Sequence, residues 1–519
     1  MVHSICEFFI NSKPITLVGK KKKMDRPNVI FILVDDLGWA ELGCYGNRYN
    51  ETPHIDNLAA TGMRFTNAYA SSTVCSPSRA GLLTGQAPPR IGITDYLRPN
   101  SEWFLPLDSG KGGFADNELP EDTDFRINPK ILTLAEMFRI IGYFTCIIGK
   151  WHLSGYDKKG VKFGPEKYGF DEVRISEQKG IAGGSYFHPY TKIDPNIETV
   201  LGNNEYLVDR MNYEAVEFIK RHKNEPFFLY LSHYAVHTTL DAKLEDIKYF
   251  SKKRRNFTSE NLIGLKEKLY FKAEIDKFFS ILKEFLNFKK IRKYFMIRKR
   301  WFRQNNPVLA SMLRSIDNGV GDIVRILKEL KLDQNTIIVF TSDNGGESRV
   351  TQNGHLRGGK SFTYEGGLRV NQIISYPGVT KRNSTTEFPT INLDFYPTFA
   401  EIIGYDIPKS HKLDGKSILP ILKDDPKAEK LTKRILSWHY PLKRPHFLGG
   451  RSSAANRKEN YKYIKFFDDG SSELYDLRKD ESETVNLVNV YPEKADEHYK
   501  ILKKWVNHVG GKVPKGQVL

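Results

Sequence analysis

Cysteine is scarce in this chain of 519 residues, which contains only Cys6, Cys44, Cys75 and Cys146. The four show no paired spacing, so the sequence indicates neither a disulfide framework nor a zinc site. The chain also lacks any run of about 18 or more apolar residues, and we therefore predict no membrane-spanning helix.

Acidic residues are outnumbered, because 79 Lys and Arg face 62 Asp and Glu and give a net charge of +17. The excess is concentrated in two places. The segment from Lys252 to Arg303 has 17 basic and 5 acidic residues, a balance of +12, and Lys20 to Lys23 add four more positive charges. Because the rest of the chain is near neutral, the overall charge gives no reason to predict nucleic-acid binding.

Glycine and proline are missing from Lys266 to Asn306. Apolar residues such as Leu269 and Phe278 recur there at helical spacing with lysines between them, which predicts one or two basic amphipathic helices. We interpret residues 243–306 as a basic helical insertion. Two roles stay open: a solvated excursion packed on the body, or a border of the functional site that attracts a polyanion.

The N-terminal residues lack the layout of a secretory signal, because Lys13 and Pro14 interrupt the apolar pieces and the basic run follows them. We interpret residues 1–25 as an N-terminal extension or a degenerate leader, with Met24 as an alternative start. The sequence leaves the compartment open.

Four apolar runs are typical of buried strands, and polar residues follow each of them. The runs are Asn28 to Val34, Tyr143 to Ile148, Phe227 to Leu231 and Thr336 to Phe340. Helical patterns lie between them at Thr133 to Ile141, Asn204 to Arg221 and Pro307 to Leu330. This alternation predicts an α/β domain over residues 26–426, with a central mixed sheet flanked by helices. Ligands of such sheets bind beyond the carboxyl ends of the strands.

The pattern changes from about Lys427. Short strands are predicted at Ile435 to Tyr440, Tyr461 to Phe467 and Glu473 to Asp476, and a closing helix at Pro492 to Val509. Residues 427–519 are therefore predicted to form a smaller C-terminal subdomain with an antiparallel sheet.

Oxygen ligands follow two of the predicted strands, as Asp35 and Asp36 after the first and Asp343 and Asn344 after the last. Each pair alone is also typical of a helix cap or a turn. Together, at equivalent strand ends, they favour a hard cation such as Ca²⁺ or Mg²⁺.

The segment Cys75-Ser76-Pro77-Ser78-Arg79 predicts a nucleophile on a turn before a helix, since proline is tolerated in a first helical turn. A helix N-terminus favours an anionic cysteine, and Arg79 suits an oxyanion. The alternative is a small buried cysteine beside a surface arginine.

Further cationic or basic side chains are candidates for the same site: Lys150, His152, His237 and Lys360. Singly, such lysines are usually solvated and such histidines structural. Together with a divalent metal they suit a dianionic tetrahedral group, whose charge they would stabilise.

The motifs resemble those of type I sulfatases and occur in the same order. They include NVIFILVDDLGW, TVCSPSRAGLLTGQ, GKWHL, SDNGG, RGGKSFTYEGGLRV and SELYDLRKDESETVNL. The resemblance spans about residues 26–509, apart from the basic insertion. It implies an alkaline-phosphatase-like α/β fold with a smaller C-terminal subdomain, and a periplasmic or secreted location. It also implies that a maturation enzyme converts Cys75 to formylglycine.

Carried over residue by residue, the resemblance implies a Ca²⁺ site made by Asp35, Asp36, Asp343 and Asn344 together with modified Cys75. Hydrated formylglycine would attack sulfur with one hydroxyl.

The remaining roles are likewise implied by the resemblance. Arg79 and Lys150 would hold the diol, and His152 would take a proton as sulfate is expelled. His237 and Lys360 would contact the sulfate, with His237 a candidate to protonate the leaving oxygen. Two departures from the family pattern, Asn371 and the proline-free Thr238 to Leu240, carry no predicted chemistry.

Two alternative functions stay open. One is a phosphodiesterase or phosphonate monoester hydrolase of the same superfamily, although Asn344 in place of the histidine typical of two-zinc members favours one hard cation. The other is a non-catalytic protein that binds polyanions. The expected substrate is a sulfated sugar, with Arg98, His188, His439 and Arg451 as weak candidates for its recognition.

Overall fold

The structure is a computed structural model that describes residues 26–97, 131–153, 164–176, 186–190, 197–254 and 305–519. The predictions for residues 1–25, for Arg98 and for residues 255–304 of the basic insertion lie outside the described residues. At the start of the insertion, residues 244–254 are helical.

The larger part of the molecule is built on a nine-stranded mixed sheet. Its strands are β1 (Asn28–Val34), β2 (Met63–Tyr69), β3 (Phe144–Gly149), β4 (Glu172–Arg174), β5 (Phe227–Ser232), β6 (Thr336–Ser342), β7 (Arg369–Ser375), β8 (Ser384–Thr386) and β9 (Thr390–Ile391). The order is β4-β3-β5-β1-β6-β7-β2-β8, and β9 also pairs with β2. All neighbouring strands are parallel except two pairs, β6 with β7 and β7 with β2, which are antiparallel. The predicted central mixed sheet is confirmed.

Helices cover both faces of this sheet. They are α1 (Pro53–Thr61), α2 (Cys75–Thr84), α3 (Pro88–Ile91), α4 (Leu134–Ile140), α5 (Leu207–Arg221), α6 (Pro307–Glu329), α7 (Glu365–Leu368), α8 (Phe395–Ile403), α9 (Leu419–Leu422) and α10 (Glu429–Thr432). Single 3₁₀ turns occur at Gly43–Tyr45, Pro165–Tyr168, Asp333–Asn335, Asn392–Asp394 and Pro426–Ala428. In the part of the chain that the structure describes, none of the helices has the length and apolar composition needed to cross a bilayer.

The β1 residues show why the strands are apolar throughout. Val29, Phe31 and Leu33 face one core cluster, whereas Ile30 and Ile32 face another. The first cluster takes its helical residues mainly from α2, α4 and α8, and the second from α1, α5 and α6. A strand covered on both faces has no solvent side, so alternation disappears from its sequence.

A second sheet of four antiparallel strands forms the smaller part. Its strands are β10 (Ile435–Tyr440), β11 (Ser453–Lys458), β12 (Tyr461–Phe466) and β13 (Ser472–Asp476), in that order. The helix α11 (Pro492–His508) packs against β11 and β12 through Leu502 and Val506. The predicted antiparallel C-terminal sheet is confirmed; the boundary at residue 427 stays a prediction.

Six strands were not predicted from the sequence: β2, β4, β7, β8, β9 and β11. The β2 sequence MRFTNAY alternates imperfectly and is only partly buried. The β7 strand begins Arg-Val-Asn-Gln, and β11 reads SAANRK, yet both are almost wholly buried. Their burial depends on ion pairs and hydrogen bonds from other segments, which no local pattern reveals.

Lys462 joins the two sheets through a buried ion-pair network. Its Nζ lies 2.9 Å from Glu365 Oε1 and 3.0 Å from Glu483 Oε1, and all three side chains are inaccessible to solvent. Glu365 also accepts a hydrogen bond of 2.7 Å from the Tyr69 hydroxyl on β2.

We expect Lys462→Met to lower the free energy of unfolding by about 3–5 kcal/mol, because it removes the nearest cation from two buried carboxyl groups and leaves Glu365 only the more distant Arg369, at 3.8 Å. Urea denaturation measures the loss. Lys500→Met is the control, because Lys500 is exposed and pairs only with exposed Asp496. Equal stability losses in the two variants would contradict a central role for the buried network.

Candidate active site

Helix α2 carries Cys75, which is buried. The helix begins at Cys75 itself, with Val74 as its N-cap, so the cysteine lies at the helix N-terminus as predicted, but as the first helical residue and not on a turn before the helix. Every residue of α2 is buried, Arg79 included. The alternative of a surface arginine beside the cysteine is therefore wrong.

The parallel strands β3, β5, β1 and β6 are neighbours, so the residues that follow them meet at one edge of the sheet. Ligand atoms of four residues lie within 4.8 Å of one another, and those residues are Asp35, Asp36, Cys75 and Asp343. This arrangement matches the predicted convergence at the carboxyl ends of the strands.

Arg79 and Lys150 pair with two of the acids. Lys150 Nζ lies 2.6 Å from Asp35 Oδ2. Arg79 donates from Nη2 to Asp35 over 3.3 Å and from Nε to Asp343 over 2.8 Å. All four side chains are fully buried, so these charges interact without screening by water.

Lys360 pairs with the third acid and joins it to the cysteine and a histidine. Its Nζ lies 2.7 Å from Asp36 Oδ2, 3.5 Å from Cys75 Sγ and 2.9 Å from His237 Nε2. Cys75 Sγ in turn lies 3.3 Å from Asp35 Oδ1. Three cations thus balance three carboxylates around the nucleophile position.

Burial raises the pKa of the Asp35 carboxyl, but nearby positive charge, that of Lys150 above all, outweighs burial and brings that pKa down to about 2. The Asp36 carboxyl likewise has a lowered pKa, because nearby positive charge, that of Lys360 above all, outweighs its burial. Both groups are therefore carboxylates at neutral pH.

Cys75 behaves differently from the sequence expectation. Burial, and then the negative charge of Asp35, raises the pKa of its thiol well above the usual range, although Lys150 and Lys360 oppose this. The expectation that the helix N-terminus favours a thiolate is therefore wrong for this site. An unmodified Cys75 is a neutral thiol and a weak nucleophile.

His237 is neutral in this arrangement. Its Nδ1 donates to the Thr238 carbonyl over 2.5 Å, so Nε2 accepts the hydrogen bond from Lys360. Burial, followed by the charge of Lys360, lowers its pKa. The role of His237 in protonating a leaving oxygen stays a prediction. His237 would first need a proton on Nε2, which here accepts the hydrogen bond from Lys360.

His152 is also neutral and buried. Its Nε2 donates to the Leu97 carbonyl over 2.7 Å, which leaves Nδ1 as the unprotonated nitrogen. Nδ1 has no hydrogen-bond partner within the described segments. Burial and then the charge of Lys150 lower its pKa well below the usual range, so the ring can accept a proton only from a strong local donor.

Comparison with known proteins decides the family. A family model described as Sulfatase matches residues 27–405, and a model described as N-sulphoglucosamine sulphohydrolase, C-terminal, matches residues 355–509. The chain belongs to the sulfatase family. It is therefore a sulfuric ester hydrolase, and the predicted alkaline-phosphatase-like fold is confirmed.

Individual relatives of this sulfatase act on different compounds. Steryl-sulfatase of Rattus norvegicus is 27% identical, over 76% of this chain and 70% of that protein. The N-acetylgalactosamine-6-O-sulfatase of Bacteroides thetaiotaomicron is 28% identical, over 92% of this chain and 93% of that protein. Ps i-CgsB, known from a crystal structure in complex with k-i-k-neocarrahexaose, is 26% identical in sequence. The two structures match with a TM-score of 0.70 over 95% of each chain.

Several residues that hold the sulfatase site together were not predicted. Ser232 Oγ accepts from Arg79 Nη1 over 2.7 Å and donates to the Lys150 carbonyl over 2.7 Å. Asn392 Nδ2 donates to Ser78 Oγ over 2.9 Å and so supports α2 from a distant segment. Ser232 ends a predicted strand, which was a usable signal, whereas Asn392 carries no local signal.

The structure describes three of the four weak candidates for substrate recognition, namely His188, His439 and Arg451. His439 is buried beside the Phe467 ring, and burial lowers its pKa to about 3. His188 Nε2 donates to the Ile197 carbonyl over 3.0 Å. Arg451 is ion-paired with Asp468 and lines a cavity of about 310 Å³.

Proposed function

We propose that this sulfatase hydrolyses a sulfate ester on a sulfated sugar or polysaccharide fragment, through a formylglycine derived from Cys75 and a bound Ca²⁺. The observation that carries the proposal is the cluster of three carboxylates around Cys75, each paired with a cation. A maturation enzyme would install the formylglycine.

The donor set fits a hard cation. The carboxylates of Asp35, Asp36 and Asp343 supply only oxygen, which Ca²⁺ prefers. Asn344 donates its Nδ2 to Asp36 over 2.7 Å, while its buried Oδ1 has no hydrogen-bond partner in the described structure. A buried amide oxygen without a partner is costly unless a cation or water uses it.

Position 75 fits an oxygen-bearing residue better than a thiol. Burial raises the pKa of its thiol, and a thiol sulfur is a soft ligand that Ca²⁺ does not prefer. Hydrated formylglycine would supply a hydroxyl that attacks sulfur and a second hydroxyl whose deprotonation expels sulfate.

The chain's own residues would bind, orient and move protons around that group. Arg79 and Lys150, fixed by Asp35 and Ser232, would hold the position of residue 75. Lys360, next to Cys75 Sγ, would stabilise charge on the sulfate oxygens.

The two histidines would have different roles. His152 has an unprotonated Nδ1 and would accept the proton released as sulfate departs. His237 bonds to Lys360 and would contact the sulfate from the other wall.

The substrate class rests on relatives. The Bacteroides relative is named for N-acetylgalactosamine 6-O-sulfate, and the structural relative holds a neocarrahexaose. Both cover more than nine tenths of this chain, whereas the steryl-sulfatase match covers 76%. A sulfated sugar is therefore the better supported class.

The test is production of the protein together with a formylglycine-generating enzyme. Peptide mass spectrometry is expected to show loss of the Cys75 thiol and gain of an aldehyde. Elemental analysis is expected to find calcium, and an aryl sulfate should be turned over much faster than an aryl phosphodiester. Stoichiometric zinc with faster phosphodiester turnover would instead support the phosphodiesterase alternative.

A further inference from the structure

One loop of the C-terminal sheet touches three walls of the active site. We define the rim loop as residues 441–450, between β10 and β11. Its Gly450 approaches the Ser361 carbonyl so closely that an added Cβ would lie 1.8 Å from that oxygen. Ser361 directly follows Lys360, so this end of the rim loop is fixed against the wall that carries the lysine.

The rim loop reaches the His152 wall through His446. The His446 ring lies 5.7 Å from the ring of Tyr96, in an edge-to-face arrangement. Tyr96 precedes Leu97, whose carbonyl accepts from His152 and whose amide donates to Ser76 Oγ over 2.9 Å.

The same loop reaches the His237 wall through Phe447. The guanidinium of Arg349 lies 5.6 Å from the centre of the Phe447 ring. Arg349 Nε pairs with Glu347, and Glu347 accepts from Thr238 Oγ1 over 2.8 Å. Thr238 directly follows His237, so the rim loop borders the mouth on both histidine sides.

Phe447 is an aromatic side chain presented to solvent at this mouth. It is 71% exposed, the highest value among the large apolar side chains in the described segments. Hydrogen bonds of 2.7 Å from the His446 amide to Gly450 and from the Gly449 amide to His446 fix the loop. An exposed ring on a fixed loop is available for stacking.

Arg349 offers an anion-binding edge beside that ring. Glu347 holds its Nε, while Nη1 and Nη2 have no partner among the described residues, and its side chain is 58% exposed. A guanidinium fixed on one side and open on the other suits bidentate recognition of a carboxylate or sulfate. Lys443 and Arg444 of the rim loop add positive charge.

We propose that Phe447 and Arg349 form a subsite for a second, anionic sugar ring of the substrate, next to the ring that carries the scissile sulfate. Phe447 stacks on the ring, and Arg349 binds its sulfate or carboxylate. Phe447 lies three residues from Gly450, a Cα distance of at most about 11 Å, which a neighbouring sugar can span. The inference rests on the proposed sulfated-sugar substrate and assigns its specificity to these two residues.

The decisive experiment measures binding without turnover. On a Cys75→Ala background, fluorescence anisotropy follows a labelled sulfated carrageenan hexasaccharide, a chondroitin 6-sulfate hexasaccharide and their desulfated forms. Phe447→Ala and Arg349→Gln are each expected to raise Kd about five- to tenfold for the sulfated probes. Phe447→Trp should restore binding, and Tyr213→Ala, an exposed aromatic on α5, should leave Kd unchanged.

The probes separate the two sources of negative charge. Carrageenan presents only sulfate next to the cleaved ring, whereas chondroitin presents a carboxylate. For carrageenan, desulfation should abolish the rise in Kd caused by Arg349→Gln. For chondroitin, the rise should persist after desulfation if Arg349 binds the carboxylate. The Phe447→Ala effect should persist for every form that binds.

A second measurement tests the catalytic centre separately from the subsite. With formylglycine at position 75, kcat/KM for a small aryl sulfate should change less than about twofold in Phe447→Ala and Arg349→Gln. No binding of either sulfated probe, an unchanged Kd, or an equal loss on the aryl sulfate would overturn the subsite. If no sulfate ester is turned over but Kd responds as expected, the proposed function fails and the subsite stands.

Discussion

Replacement of Cys75 by alanine is expected to reduce sulfate release by a factor on the order of 10³ or more, with the fold retained. Cys75 lies at the centre of the charge cluster, where Asp35 and Lys360 both approach its Sγ. Alanine removes the thiol, and without a leaving sulfur on Cβ that carbon cannot be converted to the aldehyde of formylglycine. Loss of one buried sulfur leaves only a small cavity, so the fold is expected to be retained.

The measurement is initial rate on an aryl sulfate, with circular dichroism and melting temperature as checks on folding. Cys146→Ala is the matched control, because Cys146 is also fully buried but lies in the core of β3. That variant is expected to keep its turnover. Full activity of Cys75→Ala, or equal losses in both variants, would contradict the proposed nucleophile.

Replacement of Asp343 by alanine is expected to abolish both Ca²⁺ binding and turnover. Asp343 is one of the three carboxylates of the cluster, and it accepts from Arg79 Nε over 2.8 Å. Without it, the buried arginine loses a partner, which costs about 3–5 kcal/mol. The Ca²⁺-dependent part of the stability is lost as well, about 2.7 kcal/mol at 100 times Kd.

Asp394→Ala is the control that separates the loss of a buried ion pair from the loss of Ca²⁺ binding. Asp394 makes a buried two-point ion pair with Arg434, at 2.6 and 2.7 Å, outside the acid cluster. Both variants are expected to melt at a lower temperature without metal. Only Asp343→Ala should lose the rise in melting temperature on adding Ca²⁺, and a normal rise in that variant would remove Asp343 from the metal site.

The sheet was predictable where a strand is buried on both faces. The β1 run NVIFILV was predicted from Asn28 to Val34, and the structure gives the same bounds. The other three runs differ by one or two residues at an end. Continuous apolar residues bounded by polar ones fix such strands locally, because both faces need the same chemistry.

The strand β7 shows the limit of that reasoning. Its Arg369, Asn371 and Gln372 are buried, and Asn371 Nδ2 donates to the Gly38 carbonyl over 3.2 Å. The partner is more than 300 positions away in sequence. From the local sequence, polar residues are predicted to be exposed, because the distant group that hydrogen-bonds to them is not known.

The sequence by itself determined the family, the acids at two strand ends and the cysteine at the start of α2. Motif order and strand patterns are properties of the sequence itself, so they can be recognised without a structure. Only the tertiary structure decided that three cations balance the three carboxylates and that Cys75 is a neutral thiol. It alone brought Phe447 beside Arg349, because charge balance, burial and contacts between distant loops depend on how segments far apart in the chain pack together.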